Sequence, residues 1–285
     1  MTIAWINDQW LPLSEARISP MDRGFLFGDG IYEVIPSYGG KMVGFDWHMQ
    51  RLQNGLDAIA IPNPLAIQTW QQQLTRLIKD NGAGNLGVYL QVTRGVVEKR
   101  QHKFPDVVTP TIFAYTFDIP ATSDGSLASA KSFNVSTAVD RRWQRCHIKS
   151  TALLGNVLHM MEGVDAGADE VLLFNDNDEL TEAAACNVFI VKNGEVFTPR
   201  LDTQKLPGIT RNLLLDMFKA DGNWRVSEGV VSRAEVLSAD EVWLTSSTKE
   251  VAPVISIDGQ PIADGKPGPV WSRAQQLFNQ RRFDY

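Results

Sequence analysis

Lys149 is the residue of this sequence best placed to act as a nucleophile. Apolar or small residues surround it: Ile148 precedes it, and Ala152, Leu153 and Leu154 follow. A lysine is usually a solvated surface charge, but partial desolvation favours its neutral, nucleophilic form. A neutral lysine amine can form a Schiff base with a carbonyl compound. The segment therefore indicates carbonyl chemistry at Lys149.

Glu182 is a second candidate because of the residues that follow it. Residues 183–189 are nearly all small or apolar, which is unusual beside a solvated loop acid. A carboxylate in such surroundings needs a cationic partner. A protonated pyridine nitrogen would serve as that partner.

Three further sites have the residue types of small-anion sites. In residues 206–211 (LPGITR), Pro and Gly precede a predicted helix start, so the amides of Ile209 and Thr210 would face an anion. Residues 245–253 (TSSTKEVAP) offer hydroxyl groups and amides, and the guanidinium of Arg51 suits a phosphate. Helix starts, polar turns and surface arginines are common, so each indication is weak alone.

The composition limits the classes of protein that could carry these residues. The 285 residues are 44% hydrophobic and 21% charged, which is typical of a globular protein. The net charge is −6, from 27 basic and 33 acidic side chains without a basic block, so no nucleic acid is expected as a partner. No apolar run reaches the roughly 18–20 residues that span a bilayer, so no membrane partner is expected.

The first residues and the cysteines bear on the compartment. The first ten residues lack the basic start and apolar core of a secretory signal. The sequence has only two cysteines, Cys146 and Cys186. We therefore expect a reducing cytoplasm, no disulfide framework and no metal site.

Strands dominate the predicted elements of residues 1–119. Two hairpins are predicted, one around Asn7-Asp8-Gln9 and one around Gly39-Gly40. Asp46 is predicted to cap the first helix. In chain order, the predicted elements are strands at 3–5, 10–12, 31–35 and 41–44, helices at 46–59 and 65–79, and strands at 88–92 and 111–117.

Residues 120–127 are small, polar and turn-forming, which predicts a linker between two domains. The predicted elements beyond it are strands at 133–139, 171–174, 188–191, 242–245 and 254–257, and helices at 151–163, after Gly208 and at 271–280. We therefore expect two α+β domains, at 1–119 and 128–285. Lys149 would lie between a strand and a helix of the second domain.

Six ordered segments together resemble the fold-type IV pyridoxal-phosphate enzymes, and they extend over nearly the whole chain. The segments are FGDGIYEV (27–34), HMQRL (48–52), IKSTALLGNV (148–157), LTEAAACNVFIVKNGEV (180–196), LPGITR (206–211) and TSSTKEVAPV (245–254). This family includes branched-chain aminotransferases, D-amino acid aminotransferases and aminodeoxychorismate lyase. The resemblance implies an α+β fold with a smaller N-terminal α/β domain and a larger C-terminal domain with a β-barrel-like core.

The resemblance also implies a role for each candidate residue. Lys149 would bind the aldehyde of pyridoxal 5′-phosphate and move a proton between the substrate Cα and the cofactor C4′. Glu182 would pair with the protonated pyridine nitrogen, and Leu206 would pack against the ring. The phosphate would be held by Arg51, by the amides of Ile209 and Thr210, and by Ser247 and Thr248.

The loop at residues 94–105 distinguishes members of the family. It resembles the D-amino acid aminotransferase loop, in which an Arg-x-His pair binds the substrate carboxylate; Arg100 and His102 match that pair. Tyr32 matches the tyrosine that assists them. The alternative is a basic, solvated loop. Pro36 and residues 184–186 depart from the D-amino acid enzymes, which carry a lysine and a serine run there, and this affects the expected substrate range.

The closest resemblance implies a cytoplasmic transaminase that moves the amino group of a D-amino acid, such as D-alanine or D-glutamate, to 2-oxoglutarate or pyruvate by a ping-pong mechanism. It also implies a homodimer, in which Arg100 and His102 would serve the neighbouring subunit's site. The alternatives are a branched-chain L-amino acid aminotransferase, aminodeoxychorismate lyase, an (R)-selective amine transaminase, or a protein that only binds pyridoxal phosphate.

Overall fold

A computed structural model describes all 285 residues, which form two compact units. The first unit contains residues 1–120, 148–153 and Tyr285, and the second contains residues 121–147 and 154–284. The segment 148–153, which includes Lys149, therefore groups with the first unit, although the sequence analysis placed it in the second domain.

The first unit contains a six-stranded antiparallel sheet with the strand order β2-β1-β6-β5-β3-β4. Its elements are β1 (Ile3–Ile6), β2 (Gln9–Pro12), α1 (Arg23–Phe27), β3 (Gly30–Tyr38), β4 (Lys41–Met42), α2 (Phe45–Ala58), α3 (Ile67–Asp80), β5 (Asn85–Thr93) and β6 (Thr111–Asp118).

One face of this sheet packs against α2 and α3. Alternate residues of β3, such as Ile31 and Ile35, are buried because side chains of a strand alternate between its two faces. Leu52 and Leu56 of α2 are buried against them, four residues apart on one side of the helix. The core thus fixes which residues of β3 point away from it.

Both predicted hairpins are confirmed. In the first, β1 and β2 are joined at Asn7, whose φ of 53° lies in the left-handed region, and in the second Gly39 and Gly40 also have positive φ. The predicted Asp46 cap is wrong: the N-cap of α2 is Gly44, and Asp46 lies in the first helical turn. An acid in this turn still interacts favourably with the helix dipole.

The second unit contains a nine-stranded mixed sheet with the order β12-β11-β10-β13-β14-β7-β8-β9, and β15 pairs with β14. Its elements are β7 (Phe133–Val139), α4 (Leu154–Asp165), β8 (Glu170–Phe174), β9 (Leu180–Ala183), β10 (Asn187–Lys192), β11 (Glu195–Pro199), α5 (Ile209–Asp221), β12 (Val226–Gly229), α6 (Arg233–Leu237), β13 (Glu241–Ser246), β14 (Glu250–Ile257), β15 (Gln260–Pro261) and α7 (Pro269–Arg281). The predicted α+β class is confirmed.

Two differences from the predicted elements affect candidate residues. The helix expected from residue 151 begins only at Leu154, because residues 149–151 pair with the start of β3. Glu182 lies in the short strand β9, which was not predicted because all four of its residues are buried and show no alternation. None of the helices combines the length and apolar character that crossing a membrane requires.

Candidate active site

The main chain of Lys149 is fixed by pairing with the start of β3. The amide of Tyr32 donates to the Lys149 carbonyl at 3.0 Å, and the amide of Thr151 donates to the Gly30 carbonyl at 3.0 Å. Ile148 points into the core of the first unit. The Lys149 side chain, in contrast, is half-buried and lies outside that core.

Gly28, which lies just before β3, occupies a position where a side chain would not fit. Its φ of +65° favours glycine, and a Cβ atom there would lie 2.9 Å from both Cα and Cβ of Ala152. The segment containing Lys149 can therefore approach the end of α1 only because residue 28 has no side chain.

The amine of Lys149 contacts an aromatic ring. Its Nζ lies 4.0 Å from the centroid of the Tyr32 ring, a cation–π contact. The Tyr32 ring stacks on Tyr89 at 5.8 Å, and the Tyr89 hydroxyl donates to Gln91 at 2.6 Å. Burial raises the pKa of Tyr89, so this phenol stays protonated and keeps its hydrogen bond. The half-buried Lys149 amine therefore has a defined position.

Arg51 lies in a buried cluster of charges between α2 and β3. Its Nε and Nη2 donate to the two carboxylate oxygens of Glu33 at 2.8 and 2.6 Å, and Nδ1 of His48 lies 2.6 Å from Glu33 Oε2. Burial by itself would raise the pKa of Glu33, but Arg51 and His48 lower it to about 2. The residue expected to hold a phosphate is thus oriented by Glu33, which the sequence analysis did not single out.

Burial lowers the pKa of the His48 imidazole, whereas it acts to raise that of Glu33. The Glu33 carboxylate opposes the shift at His48 without reversing it. The positive charges of Arg51 and Lys149 act in the same direction as burial. His48 is therefore a neutral hydrogen-bond donor to Glu33 near pH 7, which leaves Arg51 as the charged partner.

Glu182, in the second unit, accepts hydrogen bonds at both carboxylate oxygens. Oε1 accepts from Nη1 of Arg142 at 2.5 Å, whereas Oε2 accepts from the Leu206 amide at 2.9 Å and from Asn187 Nδ2 at 3.2 Å. Asp140 holds the other edge of the Arg142 guanidinium through contacts of 3.0 and 2.7 Å. Burial raises the pKa of Glu182, and Arg142 opposes this shift. A cationic partner for Glu182 is therefore supplied by the chain itself.

Arg142 was not predicted as a site residue, because it is one of three arginines within residues 141–145. Arg141 and Arg145 are exposed, whereas Arg142 is buried between Asp140 and Glu182. Asp140, two residues away, was the available signal, since a close acid–base pair commonly forms a buried bidentate contact.

Leu206 and the start of α5 lie beside Glu182. A Cβ atom at Gly208 would lie 1.8 Å from Asn187 Oδ1, so the glycine allows Asn187 to reach both Glu182 and the Leu206 carbonyl. The helix begins at Ile209, as predicted. The amides of Ile209 and Thr210 have no acceptor within the helix, because the first N–H groups of any helix lack one.

Ser247 and Thr248 are half-buried in the turn between β13 and β14. In the strand just before them, Thr245 is opposite Asn187 in the pairing of β10 with β13. The Thr245 hydroxyl is buried and has no hydrogen-bond partner. A buried hydroxyl without a partner is costly, so this atom marks a place where a polar ligand would be stabilised.

Arg100 and His102, in the first unit, lie in an exposed loop between β5 and β6. Both side chains pack on Phe27: Cζ of Arg100 is 4.9 Å and the His102 ring is 5.5 Å from the centroid of that ring. The structure brings the predicted Arg-x-His pair together on Phe27, whereas Tyr32 stacks on Tyr89.

Comparison with known proteins identifies a family that the chain matches over most of its length. Residues 30–257 match the family described as amino-transferase class IV. The chain is 38% identical to a D-alanine aminotransferase of Bacillus licheniformis over 269 residues, covering 94% of this chain and 93% of that protein. It is 36% identical to a D-alanine aminotransferase of Staphylococcus haemolyticus, covering 98% of this chain and 97% of that protein.

Solved structures share the fold. The branched-chain amino acid aminotransferase of Escherichia coli superposes with a TM-score of 0.88 at 24% identity, covering 98% of this chain and 93% of that chain. The branched-chain amino acid aminotransferase of T.th., solved with pyridoxamine 5′-phosphate, gives a TM-score of 0.90 at 23% identity and covers 99% of this chain and 94% of that chain. At these identities the likeness concerns the fold alone.

The buried Glu33 carboxylate leads to a stability prediction. Glu33→Gln removes the negative charge opposite Arg51, and we expect the free energy of unfolding at pH 7 to fall by roughly 3 kcal/mol. Because pairing lowers the folded-state pKa of Glu33 from 4.5 to about 2, the wild-type advantage is fully present above pH 4.5. It is lost as the pH falls toward 2. Urea unfolding of both proteins at a series of pH values measures the difference.

The exposed Glu15 provides the control. Glu15→Gln should leave the unfolding free energy nearly unchanged at every pH. Equal stability of wild type and Glu33→Gln, or a difference between them that does not change with pH, would contradict the ionic role of Glu33.

Proposed function

Since the chain belongs to the class IV aminotransferases, we propose that it transfers the amino group of a D-amino acid, such as D-alanine or D-glutamate, to 2-oxoglutarate or pyruvate. The observation that carries the substrate assignment is that Arg100 and His102 both pack on Phe27 in an exposed loop. A guanidinium and an imidazole held by one ring suit a carboxylate. The similarity to D-alanine aminotransferases supports the same handedness of substrate.

Class IV aminotransferases use pyridoxal 5′-phosphate, whose aldehyde takes up the amino group and whose ring accepts the electrons of the substrate Cα–H bond. The residues present suit this group. The half-buried Lys149 offers a primary amine, and Glu182 offers a carboxylate already oriented by three donors. Thr245 offers a buried hydroxyl without a partner.

Lys149 has two tasks in the proposed reaction. Its Nζ would hold the cofactor through the aldehyde, and the same amine, when free, would take the proton from the substrate Cα and return it during the reaction. The pairing of the Lys149 main chain with β3 would keep Nζ in one region through both tasks. Such positioning matters because proton transfer requires the amine within hydrogen-bond distance of the proton.

Glu182 would bind the protonated ring nitrogen. Arg142, itself held by Asp140, fixes one carboxylate oxygen, and the Leu206 amide fixes the other. These donors therefore set the direction of the carboxylate. Leu206 would also pack against the ring.

The phosphate would be held by groups of several elements. The amides of Ile209 and Thr210 provide uncompensated donors at the positive end of α5. The Arg51 guanidinium is oriented by Glu33. Ser247 and Thr248 would donate their hydroxyl groups from the turn after β13.

A homodimer is part of the proposal, and α4 supports it. Five apolar side chains on this helix are each between 48% and 70% exposed, at the spacing of one helix face. They are Leu154, Val157, Leu158, Met161 and Val164. A second copy related by a twofold axis would bring the same apolar face against itself and bury it. We also propose a cytoplasmic location, which the two free, buried cysteines support.

Covalent attachment at Lys149 can be tested directly. Sodium borohydride reduction of the purified, cofactor-loaded protein should label one tryptic peptide, that containing Lys149, as read by mass spectrometry. Lys149→Ala should lose the label and lower the transamination rate by roughly 10²–10⁴-fold. The control is Lys192→Ala, which changes a half-exposed lysine and should keep both the label and the wild-type transamination rate. A label on a different lysine contradicts the assignment.

Substrate handedness can be read from single half-reactions. We expect D-alanine and D-glutamate, but not L-leucine or (R)-1-phenylethylamine, to discharge the absorbance of the cofactor-loaded protein. Arg100→Ala should raise KM for D-alanine by about 10-fold or more with a smaller change in kcat, because it removes carboxylate binding. Lys99→Ala is the control within the same loop.

Other outcomes point to the alternatives. Reaction with L-leucine and not with D-alanine indicates a branched-chain aminotransferase, and reaction with the amine indicates an amine transaminase. Pyruvate release from aminodeoxychorismate without an acceptor indicates a lyase. A coloured protein without amino transfer indicates a binding protein.

The α4 surface gives a prediction about assembly. Leu158→Glu places a charge on the apolar face, and we expect light scattering after size exclusion to change from twice the 31.7 kDa chain mass to the single mass. Leu158 is exposed in one chain, so circular dichroism should stay unchanged. Lys219→Glu, on the exposed side of α5, is the control. A fully active wild-type monomer contradicts the homodimer.

A further inference from the structure

The loop that carries Arg100 and His102 is attached to the first unit through a buried arginine. Arg23, only 3% exposed, donates from Nη1 to the Gln101 carbonyl at 2.7 Å. Longer contacts of 3.4 Å join its guanidinium to the carbonyls of His102 and Lys103. One side chain thus reaches three successive carbonyls, which the planar guanidinium with its five N–H donors permits.

Arg23 is itself held on its other edge. Its Nε donates to Asp29 Oδ2 at 2.7 Å, and Arg94 binds the same carboxylate at 2.8 and 3.0 Å. Arg94 also donates to the carbonyls of Ile59 and Ala60, just after α2. Arg23 is therefore anchored to the end of a helix and the start of a strand, whereas the loop it contacts is exposed.

The helix α1 supports both the main chain and the side chains of this loop. Arg23 begins α1 and Phe27 ends it, and Cζ of Arg23 lies 4.7 Å from the centroid of the Phe27 ring. Arg100 and His102 pack on that same ring. A one-turn helix therefore places the guanidinium that holds the loop carbonyls and the ring that supports the loop side chains.

We propose that Arg23 is a positioning residue that sets the geometry of the Arg100 and His102 pair and thereby the affinity for the substrate carboxylate. This inference rests on the proposed function, because it takes that pair as the carboxylate-binding group. Residues 94–110 contain no helix or strand, and Arg23 holds the carbonyls of residues 101–103, in the stretch that carries Arg100 and His102. Without Arg23 we expect this stretch to be less ordered before substrate binds. Ordering a loop on binding weakens affinity, and prior positioning removes that cost.

The inference predicts a specific kinetic pattern. Removing Arg23 should raise KM for D-alanine by about 10-fold and change kcat much less, because carboxylate binding is weakened while Lys149 keeps its own contacts. Combining the change with Arg100→Ala should add little, since both remove the same interaction. A residue that only stabilised the fold would not separate KM from kcat in this way.

Limited proteolysis gives a readout that does not depend on activity. Lys99, Arg100 and Lys103 are exposed trypsin sites within the loop. In Arg23→Gln we expect trypsin to cleave at these sites about tenfold faster than in wild type, as followed by peptide mass spectrometry, because local opening governs cleavage. Arg76→Gln, at a 55% exposed helix position of the same unit, is the control and should cleave at the wild-type rate.

A second variant covers the case in which Arg23→Gln does not fold. Arg23→Lys keeps the charge opposite Asp29 but loses the planar donor group, so it should also loosen the loop and raise KM. Melting temperature verifies that each variant is folded before trypsin is added.

The outcomes separate this inference from the proposed function. Faster loop cleavage together with a raised KM supports the role of Arg23. Wild-type cleavage rates in both Arg23 variants, or a lowered kcat with unchanged KM, overturn it. A wild-type protein that does not react with D-amino acids overturns the proposed function and the carboxylate role, while the cleavage rates alone still measure how Arg23 holds the loop.

Discussion

The pairing of residues 148–153 with the start of β3 is the interaction on which the candidate site of the first unit depends. The hydrogen bond from the Tyr32 amide to the Lys149 carbonyl fixes the lysine next to the strand whose side chains alternate between two environments. Tyr32 lies on one face and contacts the lysine amine. Glu33 lies on the other face and binds Arg51. One strand thus positions the nucleophile and orients a cation of the same unit.

Carboxylates that are largely removed from solvent are paired with arginines at three places in the molecule. Glu33 is paired with Arg51, Glu182 with Arg142, and Asp29 with both Arg23 and Arg94. Burying an unpaired carboxylate is costly, and an arginine partner offsets that cost. The contact is two-point between Arg51 and Glu33 and between Arg94 and Asp29, which fixes the direction of both groups, and it is a single hydrogen bond between Arg142 and Glu182. Arg51 and Arg142 therefore restrict the movement of the Glu33 and Glu182 carboxylates, and Arg23 restricts that of the loop at residues 101–103.

The local sequence predicted the elements and residue types, but not the partners. Periodicity and turn residues identified both hairpins and the start of α5 at Ile209, because these signals involve neighbouring residues. Lys149 and Glu182 were found from their flanks and a family resemblance. Glu33 and Arg142 were missed, because their roles come from contacts 18 and 40 residues away along the chain. The helix expected at residue 151 begins later because its first residues pair with a distant strand.

The pairing of residues 149–151 with β3 joins two segments that the ribosome synthesises far apart in time. The hairpin partner β4 covers only Ser37 and Tyr38, so the beginning of β3 has an open edge, and residues 149–151 pair with it around Ile31. Thr151 and Gly30, which meet there, are separated by 121 positions. The first unit therefore emerges from the ribosome long before its last strand-like segment, and a nascent chain must keep that edge from pairing with other chains in the meantime.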